Sequence, residues 1–275
     1  MKKTIQIGIP CGTNSELFTK FLIESIEKTA SEEHNIELLL GINMYGVDEK
    51  FLEEIETKYS KKIFHGGLVH PSYTHTGKVA GGSSIHHGEI LNRLFHEMNS
   101  EYGMVIDCDT AFLCKDWDKK LVSLLDDKTI IIGTEYGCDD KKFMKNPNAI
   151  MSLFLVDKLK ETDLSWIPAH EYIQINEQNC KIYNRDIGDE IFLDTASQVP
   201  ERLHEAGLKG IALPLVSPRI DIGDIKFMKQ GMRGEEYQLE GTPILTHLGR
   251  ALTRGSQEEA VILWKNRVKE WLQNQ

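Results

Sequence analysis

The sequence predicts an α/β fold in which a mostly parallel central sheet is covered by helices on both faces. The first observation is that apolar runs of strand length alternate with helical patterns over 1–135. The second is that these runs are continuously apolar, which is typical of parallel strands buried on both faces. The length of 275 residues suits one such domain. We therefore expect a single domain over 1–275.

In the first half, strands and helices follow one another in order along the chain. Apolar, β-rich runs predict strands at 4–10, 36–43, 61–66, 102–107 and 129–136. Helical spacing of apolar residues predicts helices that begin near Ser15 and that span 48–59, 87–98 and 115–127. The segment 66–88 is a loop rich in glycine, serine and histidine, and it is longer than a plain connection in a compact domain.

In the second half, 136–275, the alternation is less regular. The patterns predict a helix at 149–162, a short strand at 170–175, a helix pair over 189–207 broken near Pro200, and a strand at 210–216. They further predict a loop region at 218–243, a strand from 244, and a terminal helix at 256–273.

Composition and charge exclude several classes of protein. The formal net charge is −10, and no Lys/Arg-rich run offsets it, so we expect no nucleic-acid partner. The opening MKKTIQIGIPCG is interrupted by polar residues and proline and predicts a strand rather than a signal peptide, and we expect no membrane span. The five cysteines form no CxxC pair, which indicates reduced thiols and a cytoplasmic location.

The candidate site is the carboxylate pair Asp107 and Asp109, which follows the apolar run YGMVI. Two carboxylates at the end of a buried strand repel each other unless they face solvent or a cation. Such a pair binds hard cations such as Mg²⁺ or Mn²⁺. The alternative is a pair of solvated aspartates in a turn. Asp116 and Asp118 repeat the pattern, but they open a predicted helix, where a capping role is expected.

The layout resembles a GT-A glycosyltransferase, and the opening IGIPCGTNSELFTKFLIESI resembles the family 2 nucleotide-sugar transferases. YGMVIDCDTAFLCKDWDKKLVSLL fits that family's strand, DxD motif and following helix. The resemblance is good over about 4–135 and loose beyond. It implies a GT-A (Rossmann-like) fold with a nucleotide-sugar-binding half at 1–135 and an acceptor-side half at 136–275.

The resemblance also implies a donor site at the carboxyl ends of the strands. Asp109 would bind the metal, Mn²⁺ or Mg²⁺, and Asp107 would bind the ribose or the metal through water. The donor would be a nucleotide diphosphate sugar, with a UDP-sugar favoured, although GINMYG lacks the acidic pair that usually grips the base. The remaining donor contacts would come from Pro10, Gly12, Thr13, Asn43 and His86, with His87 as an equal candidate.

The C-terminal half would complete the site. GT-A enzymes often use a C-terminal histidine as a third metal ligand, and ILTHLGRALTRG offers His247 at a predicted strand end. Arg250 and Arg254 follow it and could hold diphosphate charge as the leaving group departs. Each of these residues has an ordinary structural alternative: a hydrogen-bonded histidine or a solvated loop arginine.

An inverting transfer also needs a base to take the proton of the acceptor hydroxyl. RDIGDEIFLDTA offers Asp189, with Glu190 next, in a place that resembles the family's acidic motif. A helix-capping pair explains the same residues equally well. The acceptor is unidentified, and a retaining mechanism remains open.

Two other functions compete with transfer. A haloacid-dehalogenase-like phosphohydrolase also begins with a strand that ends in DxD, but its motif requires Thr or Val where this chain has Ala111. A non-catalytic nucleotide-sugar-binding protein would use the same pocket as a transferase. Hydrolysis of a nucleotide sugar by the pure protein with Mn²⁺ would separate enzyme from binder.

Overall fold

The structure is a computed structural model of the chain. It describes residues 2–12, 15–42, 47–66, 82–135, 147–167, 173–175, 180–182, 195–217, 235–248 and 258–273. Every statement below about the structure concerns these residues. Within them, no helix is both long and apolar enough to cross a membrane.

A seven-stranded sheet forms the centre of the molecule, in the order β10-β6-β7-β4-β1-β2-β3. Six of these strands run parallel, and β7 runs against its neighbours β4 and β6. The α/β prediction with a mostly parallel sheet is therefore confirmed. The strands are β1 Thr4–Cys11, β2 Asn35–Ile42, β3 Ser60–His65, β4 Tyr102–Ile106, β6 Thr129–Thr134, β7 Met151–Leu155 and β10 Lys209–Leu213.

Helices cover both faces of this sheet, which explains the continuously apolar strands. In β2, Leu38 and Leu40 belong to one hydrophobic cluster and Leu39 belongs to the cluster on the other face. The described helices are α1 Glu16–Thr29, α2 Glu49–Glu54, α3 Gly82–Glu97, α4 Trp117–Val122, α5 Val156–Lys160, α6 Val199–Glu205 and α7 Glu258–Gln273. The helix expected at 48–59 is shorter, and its cap is Asp48, whose side chain accepts from Phe51 N.

Helix α3 lies close to the sheet because β2 has a glycine beneath it. A Cβ at Gly41 would come within 2.6 Å of Ile90 Cγ1 and 2.9 Å of Leu94 Cδ1. Any larger residue would push the helix outward. This close approach holds the start of α3 near the carboxyl ends of β1 and β4.

The expected helix at 149–162 is wrong. Residues Met151–Leu155 form β7, and only Val156–Lys160 are helical. The segment MSLFL is buried between β4 and β6, and it is a short apolar run whose periodicity does not separate strand from helix. Its reversed direction places Ile150 beside the carboxyl end of β4 and Asn148 beside that of β6.

A second, four-stranded sheet has the order β11-β12-β13-β5 and comprises Leu215–Ser217, Glu235–Leu239, Thr242–His247 and Thr110–Phe112. The expectation of an unbroken loop at 218–243 is therefore wrong, since β12 lies within it. Glu240 and Gly241 join β12 to β13 with φ of 50° and 80°. Two central residues with positive φ are typical of a type I′ hairpin turn.

The remaining described strands are β8 Ile173–Ile175 and β9 Cys180–Ile182, which form a two-stranded sheet. The short strand expected at 170–175 is confirmed for its last three residues. The strand expected at 210–216 is interrupted at Pro214, and its two parts, β10 and β11, belong to different sheets.

The Asp116–Asp118 pair has a structural role, but not the capping role expected. Asp116 is exposed, has a φ of 57°, and makes no side-chain capping bond to α4. The Asp118 carboxylate is fully buried and accepts from Ser31 N at 2.7 Å, Ser31 Oγ at 2.6 Å and His34 Nδ1 at 2.8 Å. Asp118 therefore ties α4 to the segment that follows α1.

Asp118→Asn should destabilise the fold by about 3 kcal/mol, because it removes the charge from a buried, fully bonded carboxylate. Burial raises the pKa of Asp118, but the bonds from Ser31 and His34 lower it further, to below its ordinary value. Its contribution is thus full above the unfolded-state pKa of about 4 and is lost as pH falls through the folded-state value. Denaturant titrations should show a constant difference between the two proteins above pH 4 and a shrinking one below. A difference that does not change with pH would contradict this assignment.

Candidate functional site

The two aspartates lie in a tight turn at the carboxyl end of β4. Asp107 N donates to Ile150 O at 2.9 Å, and Thr110 Oγ1 donates to Asp107 O at 2.6 Å. The turn leads directly into β5, which leaves the central sheet and joins the second one. Asp109 is almost fully buried, and the side chain of Asp107 is 21% exposed. The site is thus open to solvent on the Asp107 side.

Strand pairing brings His247 to these aspartates from far along the chain. In the antiparallel pair of β13 and β5, His247 lies opposite Thr110, and Leu248 N donates to Asp109 O at 2.9 Å. His247 Nε2 lies 3.3 Å from Asp109 Oδ1 and 4.0 Å from Asp107 Oδ2. His247 is the last residue of β13, the strand end that the sequence predicts, and its role as a metal ligand stays a prediction.

Asp107, Asp109 and His247 form a group that fits a divalent cation. Each offers one ligand atom, and these atoms all lie within 4.8 Å of one another. Two carboxylate oxygens and an imidazole nitrogen suit Mn²⁺ and, less specifically, Mg²⁺. In addition, Asp107 Oδ1 is buried without a hydrogen-bond partner among the described residues. His87 Nε2 lies 2.9 Å from this oxygen without donating a hydrogen bond, so a cation would supply the bond that the buried acceptor lacks.

The other side of the His247 ring contacts a third carboxylate. Nδ1 lies 3.0 Å from Glu235 Oε2, and the same oxygen accepts from Tyr237 Oη at 2.8 Å. Burial lowers the pKa of His247, but Asp109 and Glu235 more than offset this, so that its pKa lies well above the ordinary value. Without a cation, the imidazolium therefore supplies the positive charge that the carboxylates require.

His87 contacts Asp107 from helix α3. Its Nε2 lies 2.9 Å from Asp107 Oδ1, without hydrogen-bond geometry, and its Nδ1 lies 3.2 Å from Thr195 Oγ1. Gly88 allows this arrangement, since a Cβ there would come within 2.7 Å of the Ile167 backbone. The neighbouring His86 points elsewhere, with Nδ1 at 3.5 Å from Glu89. Of the two histidines, His87 is therefore the one that reaches the aspartates.

The other predicted site residues fall into two sets. Pro10 is buried near the carboxyl end of β1, beyond the part of that strand that pairs with β4. Gly12 is the first residue after β1. Both lie at the carboxyl edge, as expected for a donor site in an α/β sheet. Six predicted residues lie outside the described part of the chain: Thr13, Asn43, Asp189, Glu190, Arg250 and Arg254.

Glu235 is not singled out in the sequence analysis, because a loop is predicted at that position. The sequence EEYQLEGTPIL nevertheless carries a hairpin signal, because polar and apolar residues alternate in the segment before the Glu-Gly pair. That pattern is typical of a hairpin with one buried face, and it places Glu235 and Tyr237 on that face.

No protein-family model and no curated protein matches the chain. Among solved structures, it is similar to a mannosyltransferase from Pyrobaculum calidifontis in complex with GDP-Man and Mn²⁺, with 11% identity, a TM-score of 0.47, and coverage of 78% of this chain and 55% of that one. It is also similar to the apo form of mouse xyloside xylosyltransferase 1, with 9% identity, a TM-score of 0.42, and coverage of 57% and 69%.

A third similar structure is S. aureus TarS in complex with UDP-GlcNAc, with 13% identity, a TM-score of 0.39, and coverage of 59% and 48%. The chain thus spans about half the length of the mannosyltransferase and of TarS. Two of these three structures are named as sugar transferases. At such low identities and TM-scores, the similarity assigns no activity to this chain.

Proposed function

We propose that the chain is a metal-dependent glycosyltransferase that moves a sugar from a nucleotide diphosphate sugar to an acceptor hydroxyl, with inversion. The observation that supports it best is the group formed by Asp107, Asp109 and His247. It lies at the carboxyl edge of a mostly parallel sheet, where ligands bind in folds of this kind. A family resemblance carried by the same aspartates agrees with this position.

The residues of the group have separate roles. Both Asp109 and His247 are buried. His247 is held by its pairing with β5 and Asp109 by the bond that its carbonyl accepts from Leu248 N, so that they present fixed ligand atoms. Asp107 is more exposed, and it would complete the ligand set or contact the ribose. A bound Mn²⁺ or Mg²⁺ supplies positive charge for the diphosphate of the leaving group. Rigid ligands lower the reorganisation needed when that charge develops.

Each part of the donor has a proposed binding residue. His87 lies beside Asp107. Its ring can instead donate a hydrogen bond to a ligand oxygen that takes the place of the Asp107 carboxylate. The β1 end at Pro10 and Gly12 is the proposed site for the nucleotide, together with Thr13 and Asn43. Arg250 and Arg254 are proposed to hold the diphosphate, and Asp189 or Glu190 to act as the base.

The phosphohydrolase alternative is weaker. Its motif places a hydroxyl or β-branched residue two positions after the second aspartate, and this chain has Ala111, which is fully buried in β5. A non-catalytic nucleotide-sugar-binding protein would share the cation group. A cytoplasmic location remains our proposal, with which the free, buried thiols of Cys11, Cys108 and Cys114 are compatible.

A panel of nucleotide sugars should identify one donor that raises the melting temperature in the presence of Mn²⁺. We expect a UDP-sugar, with GDP- and dTDP-sugars as the alternatives to test. A ligand that binds only the folded state stabilises it by about 2.7 kcal/mol at a hundredfold excess over its dissociation constant. The same panel in EDTA is the control. If no nucleotide diphosphate shifts the melting temperature in either condition, the transferase proposal fails.

Release of free sugar from the winning donor would then separate enzyme from binder. A transferase without its acceptor should hydrolyse the donor slowly in Mn²⁺, whereas a binding protein should leave it intact. A donor that binds tightly but stays intact under all conditions, with and without candidate acceptors, would favour the binder.

A further inference from the structure

We propose that Glu235 is a positioning residue that holds His247 in the tautomer and orientation needed to bind the cation. The proposal rests on the cation site of the proposed function and extends it to a residue outside the ligand group. Glu235 does not belong to that group, since it contacts the ring nitrogen on the far side from the aspartates.

The hydrogen bonds around Glu235 determine which nitrogen of His247 keeps its proton when a bound cation replaces the positive charge of the ring. Tyr237 Oη donates to Glu235 Oε2 at 2.8 Å, so that this oxygen acts as an acceptor. His247 Nδ1 lies 3.0 Å from the same oxygen and must therefore donate to it. With the proton on Nδ1, the lone pair of Nε2 in the neutral ring points toward Asp109 and Asp107. This is the form of imidazole that binds a metal.

The backbone of β12 and β13 fixes the distance between the two residues. Glu235 and His247 are directly opposite each other in the hairpin, and Thr246 Oγ1 donates to Glu235 O at 2.8 Å. Trp264 Nε1 in turn donates to Thr246 Oγ1 at 3.1 Å, which ties the hairpin to α7. The register of the two strands thus places the Glu235 carboxylate beside His247 Nδ1, and both residues lie within strands rather than in a loop.

An interpretation without metal is that Glu235, His247 and Asp109 form only a buried ion-pair network. In that case Glu235 would contribute to fold stability and to nothing else. The two interpretations differ in one respect: a positioning role makes the effect of Glu235 on cation affinity depend on the presence of His247. A structural role affects stability whether or not His247 is present.

The test is a titration with Mn²⁺, followed by the loss of the free-ion electron paramagnetic resonance signal, with and without UDP. The variants are Glu235→Gln, His247→Ala and the double variant, each measured well below its melting temperature. Loss of an outer-shell partner typically weakens metal binding by about 10- to 100-fold, and we expect Glu235→Gln to fall in this range. In the His247→Ala background, the same change should have no further effect.

Glu236→Gln is the matched control, because it makes the same chemical change at the next position of β12. Glu236 pairs with Gln238 on its own strand, and Mn²⁺ affinity should stay at the wild-type value. If Glu235→Gln is too unstable to measure, Tyr237→Phe is the substitute, because it removes the hydrogen-bond donor to Glu235. It should weaken Mn²⁺ binding by a smaller factor than we expect for Glu235→Gln.

Three results would overturn the proposal, and they are distinguishable. If Glu235→Gln weakens Mn²⁺ binding in the His247→Ala background as much as in the wild type, Glu235 acts independently of His247. If the wild-type protein binds Mn²⁺ and Asp109→Asn does not, but Glu235→Gln binds like the wild type, Glu235 has no positioning role and the cation site stands. If the wild-type protein binds no Mn²⁺ with or without UDP, the cation site itself fails, and the positioning role fails with it.

Discussion

Asp109→Asn should abolish metal-dependent donor binding while the fold stays intact. Asp109 lies 3.3 Å from His247 Nε2 and is one of two carboxylates in the ligand group. Loss of an outer-shell partner already costs about 10- to 100-fold in metal affinity, so loss of a direct ligand should weaken Mn²⁺ binding by at least about 100-fold. The His247 ring keeps Asp107 and Glu235 as charged partners, and removing one of three negative charges around it relieves their mutual repulsion, so we expect no large loss of stability. Calorimetry with Mn²⁺ and the donor measures the first effect, and thermal melting measures the second.

Asp116→Asn is the control, since the same substitution is made in the chain's other Asp-x-Asp pair. Asp116 is exposed and has a φ of 57°, a conformation that asparagine adopts readily. This variant should bind metal and donor as the wild type does. Equal losses in both variants would show that the effect of Asp109→Asn is not specific to the site.

His247→Ala should weaken the metal-bound donor complex far more than it weakens nucleotide binding without metal. In the proposed cation site the imidazole supplies the nitrogen ligand, and without it the site would retain only carboxylates, which discriminate less in favour of Mn²⁺. The metal-free protein should also lose about 3 kcal/mol of stability, because Asp109 and Glu235 keep buried charges without a partner. Calorimetric titrations of the donor with Mn²⁺ and with EDTA separate the two effects.

His204→Ala provides the comparison for this variant, because His204 is exposed on α6 and contributes to no described part of the site. It should behave like the wild type in both titrations. If His247→Ala weakens donor binding equally with and without metal, His247 is not a metal ligand.

The sequence predicts the central sheet well because its strands carry their own signal. YGMVI is continuously apolar and is followed by Asp107 and Asp109. This pattern is typical of a strand that is buried on both faces and has a polar end. The same reasoning fails for MSLFLVDKLK, where a five-residue apolar strand joins a short helix without a turn signal. Its true state depends on the gap between β4 and β6, and such a tertiary effect has no local signature.

The candidate site was predictable in part for the same reason. Asp107 and Asp109 follow directly from β4, and His247 ends a strand that is recognisable in the sequence. The position of His247 opposite Thr110 depends on the register between β13 and β5. These two strands are far apart in the sequence, with most of the second half of the chain between them. Glu235 and the contact of His87 with Asp107 depend on tertiary packing in the same way. These partners become visible only once the two sheets are assembled.

The most direct test of the cation site is a calorimetric titration into the wild-type protein, once with Mn²⁺ and once with EDTA. The ligand is the nucleoside diphosphate of the donor that the nucleotide-sugar panel identifies. If Asp107, Asp109 and His247 hold a cation that binds the diphosphate, affinity should fall by at least about tenfold in EDTA, since a charged contact of this kind contributes at least about 1.4 kcal/mol. Equal affinity with Mn²⁺ and with EDTA would contradict the account.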